Sequence, residues 1–269
     1  MIKPLLGTVN FIWELGMAIA ETTDNLEFLD EDQNAAFDVE YHTPLEYKEK
    51  LARYKELFPG QDTIRVLDAG GGNGTFSDWV LRNMPNAEVT LLDISDYLLE
   101  RNVEDDRKTL VKGNVMKADE ILAGQKFDII SVNWLLHHLV ADNYKDTVKN
   151  QEEMITRFGN ILSDRGVISV GENMYNSMIG SDTPSRLVYE LTACRNPLVV
   201  KAIKSRANTA GVGVCFHSEK GWEDMFKRCG FEDKCERDYG YYWTTSLARR
   251  MAMNIKDVRH GHFCIGKAA

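Results

Sequence analysis

The stretch that decides the fold is Val66–Gly74, VLDAGGGNG, in which an apolar run leads directly into a glycine-rich turn. The run Ile64–Ala69 predicts a buried strand, and the segment from Thr75 predicts a helix. Glycine permits positive φ and lets a ligand approach the backbone closely. A dinucleotide-binding fingerprint would need a glycine where this chain has Thr75, so the pattern is acidic-x-G-x-G-x-G.

A second signal is Asp93, which follows the next predicted strand, Ala87–Leu92. A carboxylate at this place can accept hydrogen bonds from the two hydroxyls of a ribose. A lone glycine turn is often only a tight turn. The glycine turn and Asp93 together, in the order strand, turn, helix, strand, predict a site for a nucleoside-containing ligand.

Around Val66–Gly74, short predicted strands alternate with predicted helices, which predicts a parallel sheet wound on both faces. A long helix is predicted at 144–162, where apolar residues recur with helical spacing. Ser218 is predicted to cap a last long helix that ends near Gly230. The further predicted strands are Thr109–Lys112, Phe127–Val132, Val167–Gly171, Phe231–Arg237 and His262–Gly266.

The flanking segments predict helices outside this alternation. Residues 1–60 are interpreted as an N-terminal helical cap, and residues 61–269 as the core domain. In the cap, the capping box Thr43–Glu46 precedes a helix that carries Tyr47, Leu51, Tyr54 and Phe58 on one face. Residues 173–217 are interpreted as a helical insertion over the ligand edge of the sheet, with helix starts or breaks at Thr183-Pro184 and Asn196-Pro197.

The composition is that of a soluble globular protein. The chain has 269 residues, of which 43% are hydrophobic and 27% charged, and its net charge is −9. An acidic surface repels phosphate backbones, so nucleic acid is a poor first candidate for a partner. Five cysteines without a C-x-x-C pair fit neither a zinc ribbon nor a disulfide framework, and they favour a reducing compartment, the cytoplasm.

No apolar run reaches the length of a membrane span. The stretch Pro4–Ala20 resembles a signal peptide at its end, but Asn10 and Glu14 interrupt it and its apolar residues recur with helical spacing. An amphipathic cap helix is therefore the favoured interpretation of this stretch.

Taken together, residues 62–172 resemble the core of a class I S-adenosylmethionine-dependent methyltransferase, of the type that acts on small molecules. The matching pieces are Val66–Gly74, Leu91–Ile94, Lys112–Val115, Phe127–Asn133 and Trp134–Leu139. A further match to the last helix and turn of the family begins at Gly221. The resemblance implies an α/β, Rossmann-like, doubly wound sheet of seven strands with the last strand antiparallel. It also implies that S-adenosylmethionine lies across the carboxyl ends of the strands and leaves as S-adenosylhomocysteine.

The resemblance also implies roles for individual residues. Asp68 would organise the glycine turn and approach the amino group of the methionine part, and Asp93 would hold the ribose hydroxyls. Ile94 would pack on the adenine. Asn133 and Trp134 would line the end of the fourth strand near the sulfonium. The other residues expected to bind the cosubstrate are Gly70, Gly72, Gly74, Asn114 and Val115, of which Asn114 stands where the family often has aspartate.

Three histidines are candidates for a general base. His137 and His138 follow the fourth strand, and a structural role for both is an equal alternative. His217 lies at the end of the insertion, where a surface or cap histidine is the other interpretation. The family places substrate or metal groups at Glu172-Asn173. Catechol-type relatives complete a magnesium site with an aspartate where this chain has Asn133, so no metal is expected.

The leading hypothesis is methyl transfer to an O, N or C nucleophile of a small molecule, mainly by in-line positioning. No Asn/Asp-Pro-Pro-Tyr/Phe motif follows the fourth strand, which disfavours exocyclic base amines and glutamine amides as acceptors. The alternatives are a methyltransferase of RNA or protein, and a protein that binds the cosubstrate without catalysis. An NAD-dependent oxidoreductase is disfavoured by Thr75. The chain is expected to be a monomer or homodimer without a membrane partner.

Overall fold

The computed structural model describes residues 44–180, 182–204, 209–234, 238–243 and 246–268. The part of the predicted N-terminal cap that precedes Pro44, including Pro4–Ala20, lies outside the described residues. The helices are α1 Pro44–Leu57, α2 Thr75–Asn83, α3 Asp96–Leu99, α4 Ala118–Ile121, α5 Tyr144–Ile161, α6 Thr183–Thr192, α7 Pro197–Ile203, α8 Glu219–Arg228 and α9 Leu247–Ala252. The strands are β1 Ile64–Ala69, β2 Ala87–Asp93, β3 Lys108–Lys112, β4 Phe127–Asn133, β5 Leu162–Ser177, β6 Phe231–Asp233, β7 Asp238–Trp243 and β8 Ile255–Lys267.

The strands form one mixed sheet with the main order β3-β2-β1-β4-β5-β8-β6. The strands β1 to β5 pair in parallel, and β8 runs antiparallel to β5 and to β6. The predicted seven-stranded, doubly wound sheet with an antiparallel last strand is therefore confirmed. Its order reverses between β1 and β4, and ligands bind open α/β sheets at the carboxyl ends of the strands at such a point.

The eighth strand, β7, was not predicted as a separate element. It pairs with β8 over 258–262, whereas β6 pairs with β8 over 265–267. Both short strands therefore lie along the same edge of β8, β6 at its carboxyl end and β7 nearer its start. The single strand predicted at Phe231–Arg237 is wrong in its bounds, since β6 ends at Asp233 and pairing resumes at Asp238.

The helices bury one apolar layer on each face of the sheet. On one face, α1 and α2 pack over β1, β4 and β5, and the four residues predicted to share a face of α1 are all buried. On the other face, α5 and α8 pack over the same strands. Ser218 caps α8 as predicted, because its hydroxyl oxygen accepts a hydrogen bond of 3.0 Å from the Gly221 amide.

The predicted insertion 173–217 begins inside a strand rather than after one. Strand β5 continues to Ser177, six residues past Gly171, which pairs with Asn133 at the end of β4. This extension pairs with β8, so a two-stranded ribbon rises above the carboxyl edge of the sheet. Both predicted helix starts are observed as α6 and α7, each with proline in its first turn. Their division from the core as a separate unit stays a prediction.

A third apolar cluster lies under the insertion. Its members come from the β5 extension, α6, the segment before α8 and the start of β8, and they are Tyr175, Val188, Val214, Phe216, Ile255 and Val258. The insertion is thus anchored to the ribbon by packing as well as by chain connection. No helix within the described residues is long and apolar enough to cross a membrane.

Candidate active site at the carboxyl edge of the sheet

The glycine turn after β1 is closely packed on the strand that leads into it. Gly70, Gly72 and Gly74 have φ of 73°, 52° and 80°, a region that glycine adopts without strain. A Cβ on Gly71 would lie 2.6 Å from Leu91 Cγ and 2.8 Å from Asp68 Cγ. The turn therefore follows the surface of β1 and β2 and leaves its outer backbone open for a ligand.

Asp68 lies buried beneath this turn. Its Oδ2 accepts a hydrogen bond of 2.7 Å from the Ser77 hydroxyl, in the first turn of α2. Burial raises the pKa of the Asp68 carboxyl to about 6, and the nearby charge of Asp93 acts in the same direction. A carboxylate in this position favours a cationic neighbour, because a positive charge would offset the cost of its burial.

Asp93 holds the turn from the neighbouring strand. Its Oδ2 accepts a hydrogen bond of 2.8 Å from the Gly72 amide, and its Oδ1 accepts one of 2.8 Å from the Ser95 amide. The side chain is fully buried, and burial raises its pKa. Each carboxylate oxygen can accept a second hydrogen bond, so these backbone contacts leave capacity for hydroxyl donors. Ile94, half-buried, follows directly.

Asn102 completes the turn and was missed in the sequence. Its Nδ2 donates to the Gly72 carbonyl oxygen at 2.9 Å. Its Oδ1 lies where a side chain on Gly74 would be, since a Cβ there would be only 1.9 Å away. Asn102 lies in a loop without a recognisable motif, 30 residues from Gly72, so no local pattern indicated it.

Asn114 and Val115 follow β3, as the resemblance implied. The Asn114 Oδ1 accepts a hydrogen bond of 2.9 Å from the Met116 amide and so begins a 3₁₀ turn at Val115. Both residues are buried. The carbonyl oxygen expected to accept from adenine thus also caps a turn. A carbonyl oxygen can accept two hydrogen bonds.

The end of β4 carries a strained backbone. Trp134 has φ of 55°, which is uncommon for a bulky residue, and its ring stacks on that of His260 with 4.4 Å between centroids. Just before it, Asn133 Nδ2 donates to Ser131 Oγ at 2.9 Å, and Asn133 Oδ1 accepts from the Lys50 ammonium. Strain of this kind clusters at functional sites, where the surrounding structure holds it in place.

His137 is paired with Glu172 at the ends of β4 and β5. The His137 Nδ1 lies 2.8 Å from Glu172 Oε2, and the His137 amide donates to Glu172 Oε1 at 3.3 Å. Both side chains are buried. Burial raises the pKa of Glu172 and lowers that of His137, so each is shifted towards its neutral form. When the His137 Nδ1–H donates to an ionised Glu172, Nε2 is the ring nitrogen that can receive a proton.

The other two histidine candidates differ from His137 in their surroundings. The ring of His138 is half-buried and lies 3.9 Å from that of His137, between centroids. In His217 both ring nitrogens have partners, because Nδ1 is 2.8 Å from Asp182 Oδ2 and Nε2 is 2.8 Å from Gln151 Oε1. The His217 ring thus ties α6 to α5, and its predicted role as a base stays a prediction.

The Gln151 amide that contacts His217 is held by further hydrogen bonds. Its Nε2 donates to the carbonyl oxygens of Leu136 and Cys215, at 3.0 and 2.8 Å. The contact of Gln151 with His217 therefore joins α5 to the segment before α8.

The comparison with known families agrees with this arrangement. Residues 67–168 match a family model described as a methyltransferase domain. The match covers less than half of the chain. The matched range includes the glycine turn, Asp93, Asn114 and His137, and ends before Glu172.

Two curated plant proteins are similar to about two thirds of this chain. Tabersonine 16-O-methyltransferase of Catharanthus roseus is 24% identical over 189 residues, which are 68% of this chain and 44% of that protein. Cephaeline 6'-O-methyltransferase CiOMT of Carapichea ipecacuanha is 23% identical over 192 residues, 68% of this chain and 45% of that protein. The chain thus spans less than half the length of these relatives.

Solved structures share the fold at low sequence identity. The N-terminal domain of EvdMO1 with SAH bound has a TM-score of 0.54 at 15% identity, and the match covers 96% of this chain and 92% of that one. LepI in complex with SAM has a TM-score of 0.53 at 12% identity, covering 86% of this chain and 50% of that one. The likeness is one of fold.

Proposed function

We propose that this protein transfers the methyl group of S-adenosylmethionine to a hydroxyl oxygen of a small, planar acceptor. The observation that carries the proposal is the buried pair of His137 and Glu172, at the same carboxyl edge of the sheet as the glycine turn and its two carboxylates. Both curated relatives are named as O-methyltransferases, and the two solved structures contain SAH or SAM. These names support the choice of cosubstrate and of the methylated atom.

The residues at the edge fit the cosubstrate. The glycine turn offers open backbone, Asp93 retains acceptor capacity for the ribose hydroxyls, and Asp68 provides a buried negative charge for the methionine amino group. Ile94, Asn114, Val115 and Asn133 would line the remainder. When bound, S-adenosylmethionine supplies a methyl group that its sulfonium already activates.

The pair of His137 and Glu172 explains why an oxygen is favoured over the other acceptor atoms. A hydroxyl must lose its proton as it attacks, whereas a neutral amine attacks with its own lone pair, so only the hydroxyl needs a base positioned beforehand. Burial lowers the pKa of His137, which keeps the ring neutral at pH 7 but weakens it as a base, so the ring needs a nearby carboxylate to raise its proton affinity. An ionised Glu172 would hold the Nδ1–H tautomer and stabilise the imidazolium that forms, as in other carboxylate-oriented histidines.

Aromatic rings around this pair favour a flat acceptor. Phe216 stacks on the His137 ring at 4.3 Å between centroids and 22° between planes. The Trp134 ring meets His137 edge-on, with 6.4 Å between centroids. Stacked and edge-on rings of this kind prefer aromatic partners. A phenol satisfies both the aromatic surroundings and the need for a base.

Transfer of an isotopically labelled methyl group tests the proposal. The full chain is incubated with methyl-labelled S-adenosylmethionine and a panel of phenols, matched anilines, RNA and protein, and products are identified by mass spectrometry. Methylated phenol is the expected product. His137→Ala should lower kcat about 10²-fold or more, and His138→Ala serves to decide which histidine is the base. Label found only in RNA or protein would refute the small-molecule assignment.

A further inference from the structure

A buried lysine interrupts the apolar face of α1. Lys50 is 2% exposed and lies among Tyr47, Leu51 and Tyr54, which belong to the apolar layer under the helix. Lysine is almost never buried to this extent unless its charge is matched. The groups around the Lys50 ammonium therefore indicate which ligand charge it could bind.

The Lys50 ammonium lies at the carboxyl edge of the sheet. It donates a hydrogen bond to Asn133 Oδ1, at the end of β4. Gly171 in β5 pairs with Asn133 in β4. A Cβ on Gly171 would lie 2.9 Å from the Lys50 ammonium nitrogen and 3.2 Å from Asn133 Oδ1. The missing side chain of Gly171 thus leaves the space that the ammonium uses.

Lys50 and Asp68 place opposite charges at this buried edge. The positive charge of Lys50 acts on Asp68, where it opposes the effect of burial on the pKa. Strands β1 and β4, which end near these two groups, lie on the far side of β2 from β3. In the proposed binding mode, Asp93 on β2 holds the ribose and the adenine lies towards Asn114. The rest of the ligand then extends in the opposite direction, towards Asp68 and Asn133.

We propose that Lys50 binds the α-carboxylate of the methionine part of S-adenosylmethionine, while Asp68 faces its α-ammonium. This inference rests on the proposed function. An amino acid end carries both charges on one carbon, so a site with both a carboxylate and an ammonium matches it. Two strand spacings, roughly 10 Å, separate β2 from β4, and the sulfur and carbons between ribose and carboxylate span this gap.

A purely structural lysine would behave differently. If Lys50 served only to hold α1 against Asn133, its replacement would change the stability of the protein and affect every adenosine ligand equally. If it binds the carboxylate, its replacement affects only ligands that carry one. Two ligands that differ in the amino acid end alone therefore separate the two roles.

Calorimetric titration with S-adenosylhomocysteine and with 5′-methylthioadenosine, which lacks the amino acid end, makes this test on the full chain. In Lys50→Met, the affinity for S-adenosylhomocysteine should fall about 10- to 150-fold, as expected for a lost charge-assisted hydrogen bond. The affinity for 5′-methylthioadenosine should change less than about twofold. Lys48→Met, an exposed lysine on the same helix, is the matched control and should change neither affinity.

A second variant guards against a folding defect in Lys50→Met. Gly171→Ala places a methyl group against the ammonium, the movable end of a long side chain, so the fold should tolerate it. Like Lys50→Met, it should lower the affinity for S-adenosylhomocysteine and leave that for 5′-methylthioadenosine nearly unchanged. If both variants lost affinity equally for the two ligands, or lost affinity for neither, the proposed role of Lys50 would be overturned. Wild-type protein that binds neither ligand would instead refute the proposed cosubstrate, and the inference with it.

Discussion

Replacing Glu172 with glutamine tests its role as the charged partner of His137. Glu172 is fully buried, and its carboxylate is contacted by the His137 ring and by the backbone amides of Leu136, His137 and Asn173. Glutamine keeps the size of the side chain and one carbonyl oxygen but removes the charge. The His137 ring should therefore stay in place and lose the group that stabilises its protonated form.

The Glu172→Gln variant should have a lower kcat and should lose the pH dependence that ionisation of the Glu172 carboxyl causes. Burial raises the pKa of Glu172 to about 8, so the wild-type rate should rise with pH as the carboxyl ionises, with a midpoint near 8. In Glu172→Gln the rise with that midpoint should disappear, and kcat should fall about 10²-fold or more. KM should change little, since the residue acts through His137 rather than on the ground state of the substrate.

The same change should stabilise the fold at alkaline pH. The folded state keeps the Glu172 proton up to about pH 8, whereas the unfolded chain releases it near pH 4.3. Between these values unfolding releases a proton, so rising pH favours the unfolded state. The wild type should therefore lose up to about 3 kcal/mol relative to Glu172→Gln between pH 6 and pH 8.

Two measurements check this reasoning. Initial rates with the phenol identified in the acceptor screen, taken from pH 6 to pH 9, give the profile of each protein. Denaturant unfolding at pH 6 and pH 8 gives the two stabilities. A Glu172→Gln variant with the rate and pH profile of the wild type would refute the paired base. Parallel stability curves would refute a buried carboxyl that ionises within this range.

The turn makes two further predictions. Asp93→Asn should weaken binding of S-adenosylhomocysteine about tenfold in calorimetry. Asp96→Asn, which changes a side chain that is 64% exposed, should not weaken it. Equal effects of the two substitutions would contradict the role of Asp93. Gly74→Ala should destabilise the fold by about 1–3 kcal/mol more than Gly60→Ala, because both glycines have positive φ but only Gly74 would clash with Asn102. Equal losses in thermal unfolding would show that backbone strain alone matters.

Much of the fold could be predicted because its signals are local. The strand β1 is predicted with the observed bounds, and the predicted cap at Ser218 and helix start at Asn196-Pro197 are both observed. A cap or a turn depends on residues a few positions apart, and an amphipathic face repeats within one helix. The lengths of β5 and β7 could not be predicted, because both strands are stabilised by pairing with β8. Their own residues do not indicate which strand they pair with.

The candidate site divides in the same way. The glycine turn and Asp93 could be predicted from the sequence alone, since both follow strands that their apolar residues indicate. The pairing of Glu172 with His137 rather than His138, and the contact of Lys50 with Asn133 across 83 residues, are visible only in the folded structure. These contacts depend on strand order and register, which bring distant residues to one edge, and the chemistry proposed for this protein depends on that edge.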